Sequence, residues 1–223
     1  MDLLLHWGYP LLSDEYRQFP PLLSAAILVV LLAGLTRALH LDGFMDCCDA
    51  LLGGFDRERR LEILRDSHVG AFAVVGAISL LLVKVAAIMA LPVGGRFWIL
   101  LLFPCLSRWS MLVVLEFFPY ARRQGIGVPF QPERRRWQLL FGLAVTVIAT
   151  VALAGPFGLV LWLLATTVAL AFSGWASRLL GGVTGDVYGA VNELAEASVL
   201  MLAAILAYAV SETLLEPIHR FGW

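Results

Sequence analysis

Six apolar stretches, each about as long as a lipid bilayer is thick, limit this chain to a fold that spans a membrane. A membrane-spanning helix needs about 20 predominantly apolar residues. Across the chain 60% of the residues are apolar and 15% are charged, against about 45–50% and 25% in soluble proteins, so lipid must solvate much of the surface. The sequence therefore predicts an all-α, polytopic membrane helix bundle of about six transmembrane helices, with residues 1–223 forming one integral membrane domain. The predicted spans are Pro21–Leu39, Val69–Leu91, Phe97–Phe118, Gln138–Ala154, Phe157–Trp175 and Leu194–Val210.

The distribution of arginine between the loops predicts the orientation of the chain. An even number of spans places both termini on one side, and the loops after the first, third and fifth spans share the other side. The first face carries only Arg17, Arg96 and Arg220. Because cytoplasmic loops hold the excess of basic residues, we expect the arginine-rich face to be cytoplasmic and both termini to be periplasmic. The arginines of the predicted cytoplasmic face are Arg57, Arg59, Arg60, Arg65, Arg122, Arg123, Arg134, Arg135, Arg136 and Arg178.

A cluster of aspartates opens the first polar segment, residues 40–68, directly after the first span. Asp42, Asp46 and Asp49 are spaced i, i+4, i+7 and would share one face of a helix. Three like charges on one face repel each other, so a divalent cation is expected beside them, and carboxylate ligands suit Mg²⁺ or Mn²⁺ better than zinc. Gly43 would let backbone or substrate approach closely. The alternative is a solvated acidic loop, or a helix end paired with Arg57–Arg60.

Asp66 and His68 end this segment just before the second span. A carboxylate and an imidazole in that place can supply a general base. The alternative is ordinary capping of the following helix by Asp66 or Ser67.

The second polar segment, residues 177–196, is rich in glycine and acids and is predicted to lie on the same side of the membrane. A glycine-rich turn with exposed amides and the Thr184 hydroxyl can hold phosphate, although glycines also let membrane helices pack closely. Facing the aspartate cluster, the segment predicts one half of a phosphate-binding site. Its glycines are Gly181, Gly182, Gly185 and Gly189, and its acids are Asp186, Glu193 and Glu196.

Two cations fall inside predicted spans. Arg108 lies in the middle of the third span, where an arginine costs at least about 2.5 kcal/mol to insert, and it is therefore a functional candidate. Either a substrate phosphate or a carboxylate partner would suit it. Lys84 lies nearer the outer end of the second span, and we expect it to extend toward the interface, with a functional role as the alternative.

Together these residues predict a membrane-surface site that transfers a phosphorus-containing group from a diphosphate donor, with a carboxylate or histidine taking the proton of the attacking hydroxyl. The net charge of −1 argues against a nucleic-acid partner. Two other classes remain open. One is a CDP-alcohol phosphotransferase, although Phe44-Met45 follows Asp42-Gly43 where that class has Ala-Arg. The other is a cation transporter with Asp42, Arg108 and Glu116 along its path.

Three strings, HLDGFMDCCDALLGG, LEILRDSHVGAF and GGVTGDVYGAVNELAE, resemble the cobalamin synthase family (adenosylcobinamide-GDP ribazoletransferase) and stand in the family's order. The resemblance implies an enzyme of the bacterial inner membrane that acts late in vitamin B12 assembly. The predicted spans make it multi-pass, and the distribution of arginine predicts that its active site faces the cytoplasm. It implies that α-ribazole or its 5′-phosphate attacks the cobinamide-bearing phosphorus of adenosylcobinamide-GDP and that GMP leaves. It also implies Mg²⁺. Contact with membrane lipid is expected from the predicted spans, and a homo-oligomer is left open.

Carried onto this chain, the resemblance assigns roles by residue. Asp42, Asp46 and Asp49 become the metal and diphosphate ligands, and Asp66 becomes a supporting acid. His40 belongs to the matched string as a catalytic or loop-orienting residue. The residues assigned to substrate binding are Gly43, Arg108, Gly182, Thr184, Gly185, Asp186 and Glu196.

Overall fold

The structure, a computed structural model, describes residues 20–121 and 136–209. These residues are almost entirely helical, which confirms the predicted all-α class, and an isolated parallel bridge joins Tyr120 to Val183. The described helices are α1 (Pro21–Leu35), α2 (Leu39–Gly53), α3 (Arg57–Ile63), α4 (Ala71–Ala90), α5 (Val93–Phe117), α6 (Arg136–Ala154), α7 (Gly158–Leu180) and α8 (Gly185–Ala209).

The helices α4 to α8 are each long and apolar enough to cross a membrane, which accounts for five of the predicted spans. The pair α1 and α2 supplies a sixth candidate if a broken span is counted as one. The first predicted span, Pro21–Leu39, was wrong as a continuous helix, because α1 ends at Leu35 and the chain then bends by 91° into α2.

The bend between α1 and α2 is built from two residues in the left-handed region. Arg37 has φ 52° and Ala38 has φ 56°, a conformation that costs an L-residue roughly 1–2 kcal/mol. Backbone hydrogen bonds close the turn, from the Ala38 amide to the Ala33 carbonyl at 2.7 Å and from the Leu39 amide to the Thr36 carbonyl at 3.0 Å. As a result α2 leaves α1 at nearly a right angle.

The last predicted span, Leu194–Val210, began too late. Helix α8 already starts at Gly185. Hydropathy placed the start of the predicted span just after Glu193, because an acid without a partner is costly in lipid. In the fold, Glu193 and Glu196 are both buried and ion-paired inside the bundle.

Helix α8 is the central helix of the described bundle and packs against α2, α4, α5 and α7. Its contact faces are rich in alanine, and Ala190, Ala195 and Ala203 are completely buried. Small side chains let helix backbones approach each other closely in a membrane. The residues that α8 carries near its first turn are therefore held against several neighbouring helices at once.

Candidate active site

A cavity of about 530 Å³ lies where the start of α2 meets the first turn of α8 and the second half of α5. It brings together residues from the two polar segments that the sequence predicted to face each other. Asp42, from α2, and Asp186, from α8, both border it. The lining residues are Leu39, His40, Asp42, Gly43, Met111, Leu112, Leu115, Gly185, Asp186, Tyr188 and Gly189.

Two glycines let α2 and α8 cross with their backbones in contact. A Cβ atom added to Gly43 would lie 2.8 Å from the Asp186 carbonyl oxygen, and one added to Gly189 would lie 2.9 Å from the His40 carbonyl oxygen. Real Cβ atoms do not approach backbone so closely, so any side chain would push the helices apart. The close approach predicted at Gly43 is therefore made by the α8 backbone, and it fixes the distance between the two halves of the cavity.

The glycine-rich segment divides into a turn and the beginning of α8. Gly181 has φ 76° and Gly182 has φ 149°, conformations that favour glycine. Both of their amides donate to the Ser177 carbonyl, at 2.9 Å and 3.1 Å. Thr184 then caps α8, and its hydroxyl oxygen accepts from the Val187 amide at 3.4 Å. Two amides that the sequence offered for phosphate binding, those of Gly181 and Gly182, are therefore already bonded within the protein.

Asp49 interacts with α4 rather than with the cavity. Its carboxylate accepts from the Gly70 amide at 2.6 Å and from the Ala73 amide at 2.9 Å. The first amides of a helix have no partner within that helix, and Gly70 offers no side chain to cap them, so Asp49 serves as the cap from a neighbouring helix. Both of its oxygens are engaged in this way.

The predicted ligand set of Asp42, Asp46 and Asp49 is therefore not assembled as three convergent carboxylates. Among residues 20–121 and 136–209, no three His, Cys, Asp or Glu side chains converge as ligands for a metal ion. Asp46 is partly buried one turn beyond Asp42. Asp186 stands on the other helix at the same cavity, and its Oδ2 accepts from the Thr184 hydroxyl at 3.1 Å. Two carboxylates from two helices thus border one space.

A cluster of four charges lies between α4, α5 and α8, and its basic and acidic members balance. Lys84, Glu193 and Glu196 are buried, whereas the Arg108 side chain is 45% exposed. Lys84 is 5% exposed, and its Nζ donates to Glu193 Oε2 at 2.5 Å and to Glu196 Oε2 at 2.8 Å. Arg108 Nη1 donates to Glu196 Oε1 at 2.9 Å and to Asn192 Oδ1 at 2.5 Å. The expectation that Lys84 reaches the membrane interface was wrong, because two carboxylates on α8 hold its ammonium group in the interior.

Arg108 and Glu196, both predicted to bind substrate, lie in this ionic cluster and not on the wall of the large cavity. The sequence left two partners open for Arg108, a substrate phosphate or a carboxylate, and in the structure its partner is the Glu196 carboxylate. The cluster borders a second, smaller cavity of about 30 Å³, which has room for about one or two water molecules. His40 lines both cavities and so stands between the cluster and the larger space.

Sequence reasoning missed Asn192 and Glu193 as members of this cluster. A signal was present, since a polar run at i, i+1 and i+4 (Asn192, Glu193, Glu196) interrupts an otherwise apolar helix. Two acids there also match in number the two cations inside other spans, Lys84 and Arg108. Charge balance among spans would therefore have indicated the pairing, although not which cation meets which acid.

Asp66 and His68 form a pair in the loop before α4, outside the large cavity. Asp66 Oδ1 accepts from the His68 amide at 3.1 Å and lies 2.5 Å from its Nδ1. Hydrogen bonding to His68 lowers the pKa of Asp66, and the same bond raises the pKa of His68. The histidine's contribution to stability is thus present below pH 6.5 and is lost as the pH rises through the raised pKa. The contribution of Asp66 to stability is present above pH 3.8 and is lost as the pH falls through the lowered pKa of Asp66.

Comparison with known proteins places these features in a family. The family model described as cobalamin-5-phosphate synthase matches residues 4–204 of the chain. The chain belongs to this family. An adenosylcobinamide-GDP ribazoletransferase of Desulfitobacterium hafniense is 43% identical over 196 residues, covering 85% of this chain and 77% of the relative. A protein of the same description from Syntrophobacter fumaroxidans is 43% identical over 188 residues, covering 84% of this chain and 76% of the relative. Another, from Ectopseudomonas mendocina, is 39% identical over 212 residues, covering 92% of this chain and 83% of the relative. No solved structure matches the chain.

In this cobalamin-5-phosphate synthase family member, the three strings that carried the resemblance are joined in space. The first and third strings meet at the large cavity through Asp42 and Asp186. The second meets the first where Gly70 donates to Asp49. The strings therefore form one connected region that spans α2, the start of α4 and the start of α8.

Proposed function

We propose that this membrane protein is an adenosylcobinamide-GDP ribazoletransferase, which joins adenosylcobinamide-GDP to α-ribazole or its 5′-phosphate and releases GMP. Family membership supports the transferase class, and the relatives, described as adenosylcobinamide-GDP ribazoletransferases, support the substrates. The observation that carries the proposal is the large cavity, where His40 and Asp42 of the first polar segment face Asp186 of the second.

The reaction forms one bond and breaks one bond at phosphorus. The oxygen of an acceptor hydroxyl attacks the phosphorus that bears cobinamide, the bond from that phosphorus to the GMP oxygen breaks, and GMP leaves with the electron pair. The hydroxyl proton needs an acceptor within hydrogen-bond reach. His40 and Asp42 both border the cavity and are the candidates for that role.

Magnesium fits the residues present at the cavity. Mg²⁺ is usually held by one or two carboxylates together with substrate phosphate oxygens, and Asp42 and Asp186 supply two carboxylates from different helices. We assign these two residues as its ligands, with Asp46 one helical turn from Asp42. When bound, the ion would neutralise the charge that develops on the departing phosphate.

The remaining assignments follow from the positions of the residues. Gly43 and Gly189 hold the two carboxylate-bearing helices together, and Thr184 orients Asp186 through its hydroxyl. We place the protein in the bacterial inner membrane with the cavity toward the cytoplasm. The support is the number of arginines beside the same polar segments, because cytoplasmic loops carry the excess of basic residues. One of them is Arg57, whose Nε donates to the Leu180 carbonyl at 2.8 Å.

One assay tests the proposal. The detergent-purified protein is supplied with adenosylcobinamide-GDP, α-ribazole or its 5′-phosphate, and Mg²⁺, and both GMP and the cobalamin product are followed by chromatography with an EDTA control. Asp42→Asn and Asp186→Asn should each reduce turnover by at least about 100-fold. Asp56→Asn is the matched control, because Asp56 caps α3 outside the cavity and asparagine caps as well as aspartate.

The opposite outcomes are equally specific. Folded protein that makes no product with either acceptor would remove the proposed function, and nucleotide-alcohol donors would then be tried before ion flux. Product formation with unchanged rates in both aspartate variants would keep the function but remove the metal and substrate roles assigned to the cavity.

A further inference from the structure

The large cavity has one polar side and one apolar side. Its acids come from α2 and α8, whereas α5 contributes Met111, Leu112 and Leu115. These three residues are spaced i, i+1 and i+4 and so lie on one face of α5. The cavity thus offers carboxylates at one wall and a continuous aliphatic and thioether surface at another.

Size decides which of the two proposed substrates this space can enclose. Pockets that enclose a drug-sized molecule measure about 300–1,000 Å³, and this cavity measures about 530 Å³. A nucleoside with a fused-ring base is a molecule of that size. The donor carries a macrocycle and a nucleoside diphosphate, so it is much larger than the cavity, and most of it must lie outside while its reacting phosphates meet the acids.

We propose that the α5 wall of this cavity is the subsite for the aromatic base of the acceptor nucleoside, and that Met111 and Leu115 determine which bases are accepted. The inference rests on the proposed function. A methyl-substituted fused-ring base loses apolar surface to water when it packs on leucine and methionine, which favours its binding. A base with exocyclic polar groups would leave those groups unpaired against the same wall, which disfavours it.

A rotation of the Tyr188 side chain would bring a polar group to the same ligand. It lines the cavity, and its hydroxyl oxygen is buried without a hydrogen-bond partner among the described residues. Buried polar atoms are nearly always bonded, so an unsatisfied one beside a cavity indicates a missing polar partner. The acceptor nucleoside supplies such a partner, with its base against α5 and its ribosyl hydroxyls toward Asp42 and Asp186.

The test compares acceptors in the transferase assay at fixed donor concentration. The probes are the ribosides of dimethylbenzimidazole, benzimidazole and adenine, and the readout is the ratio of their kcat/KM values. One methylene group in an apolar pocket changes such a ratio by about 10-fold or more. Leu115→Asn and Met111→Gln should therefore each lower the preference for dimethylbenzimidazole over adenine by at least about 10-fold, while the KM of the donor stays unchanged. Leu101→Asn, on the outer face of the same helix, should leave the ratio as it is.

Tyr188→Phe keeps the ring and removes only the hydroxyl, so it gives a readout even if a polar substitution prevents folding. Loss of one hydrogen bond to the acceptor should raise the acceptor KM by about 3- to 10-fold, with the donor KM unchanged. Unchanged base ratios in active Met111 and Leu115 variants, or a rise in the donor KM alone, would overturn the subsite and leave the proposed function standing. Absence of turnover by the unaltered protein with every acceptor would instead overturn the proposed function itself.

Discussion

Replacing Lys84 with methionine should destabilise the protein strongly, although Lys84 does not line the large cavity. Its ammonium group donates to Glu193 and Glu196, and all three side chains are buried. Arg108 also pairs with Glu196, so the four charges balance. Lys84→Met keeps the volume but leaves Glu193 without its cation inside the bundle.

The size of the effect follows from the burial of the pair. Removing one partner of a buried ion pair costs about 3–5 kcal/mol, whereas replacing both partners by neutral groups is often close to neutral. For a chain of this size, 1 kcal/mol corresponds to about 2–4 °C in Tm. We therefore expect Lys84→Met to lower the apparent Tm by about 6–20 °C, and the double variant Lys84→Met/Glu193→Gln to recover most of that loss.

A second double variant separates specific pairing from net charge. Lys84→Met/Glu196→Gln has the same net charge as the rescued protein, but it leaves Glu193 unpaired and deprives Arg108 of its carboxylate partner. It should stay destabilised. The measurement is thermal unfolding of detergent-purified protein at one scan rate, followed by tryptophan fluorescence. A Lys84→Met protein that melts within about 2 °C of the unaltered one, or equal rescue by both double variants, would refute the pairing seen in the structure.

Three further predictions concern the backbone and the exposed loop. Gly189→Ala should lower the free energy of unfolding by about 1–3 kcal/mol, because the added Cβ meets the backbone of α2. Gly185→Ala is the control and should be nearly neutral, because the space around Gly185 is open. Chemical denaturation of both variants in micelles measures the difference. Ala38→Gly should raise the free energy of unfolding by up to about 1 kcal/mol, because glycine relieves the left-handed conformation, and a loss in the same denaturation experiment would contradict the bend. Asp66→Asn should return the raised pKa of His68 toward 6.5, as measured by NMR titration of histidine-labelled protein; an unchanged titration would mean that the two side chains are not paired.

The membrane spans could be predicted well from the sequence because span length and apolar content are local properties. Helices α4 to α7 begin and end near the predicted positions. The start of α8 could not be predicted in this way, because its acids become compatible with a membrane interior only through Lys84 and Arg108. Those partners lie far away in sequence, and a local hydropathy pattern does not contain them.

The candidate site could also be predicted only in part, because residue spacing is a local property and the contacts between helices are not. The two polar segments were expected to face each other, and Asp42 and Asp186 do border one cavity. The i, i+4, i+7 spacing correctly placed Asp42 and Asp49 on one helix, but spacing alone does not say which neighbour each residue meets. Helix α2 packs against both α4 and α8, so Asp49 reaches the amides of α4 while Asp42 reaches the cavity.

The bend at Arg37 and Ala38 is required for the site as well as for the fold. A straight continuation of α1 would carry Asp42 about 10 Å beyond Leu35 along the axis of α1, away from the first turn of α8. Two residues in the left-handed region cost roughly 2–4 kcal/mol together. Burial of Phe44 against the neighbouring helices alone contributes about 1.5–3 kcal/mol, and the other α2 contacts add to it. The contacts of α2 with α4 and α8 therefore hold the bend in place, so a substitution that separates α2 from α8 should also displace Asp42 from the cavity.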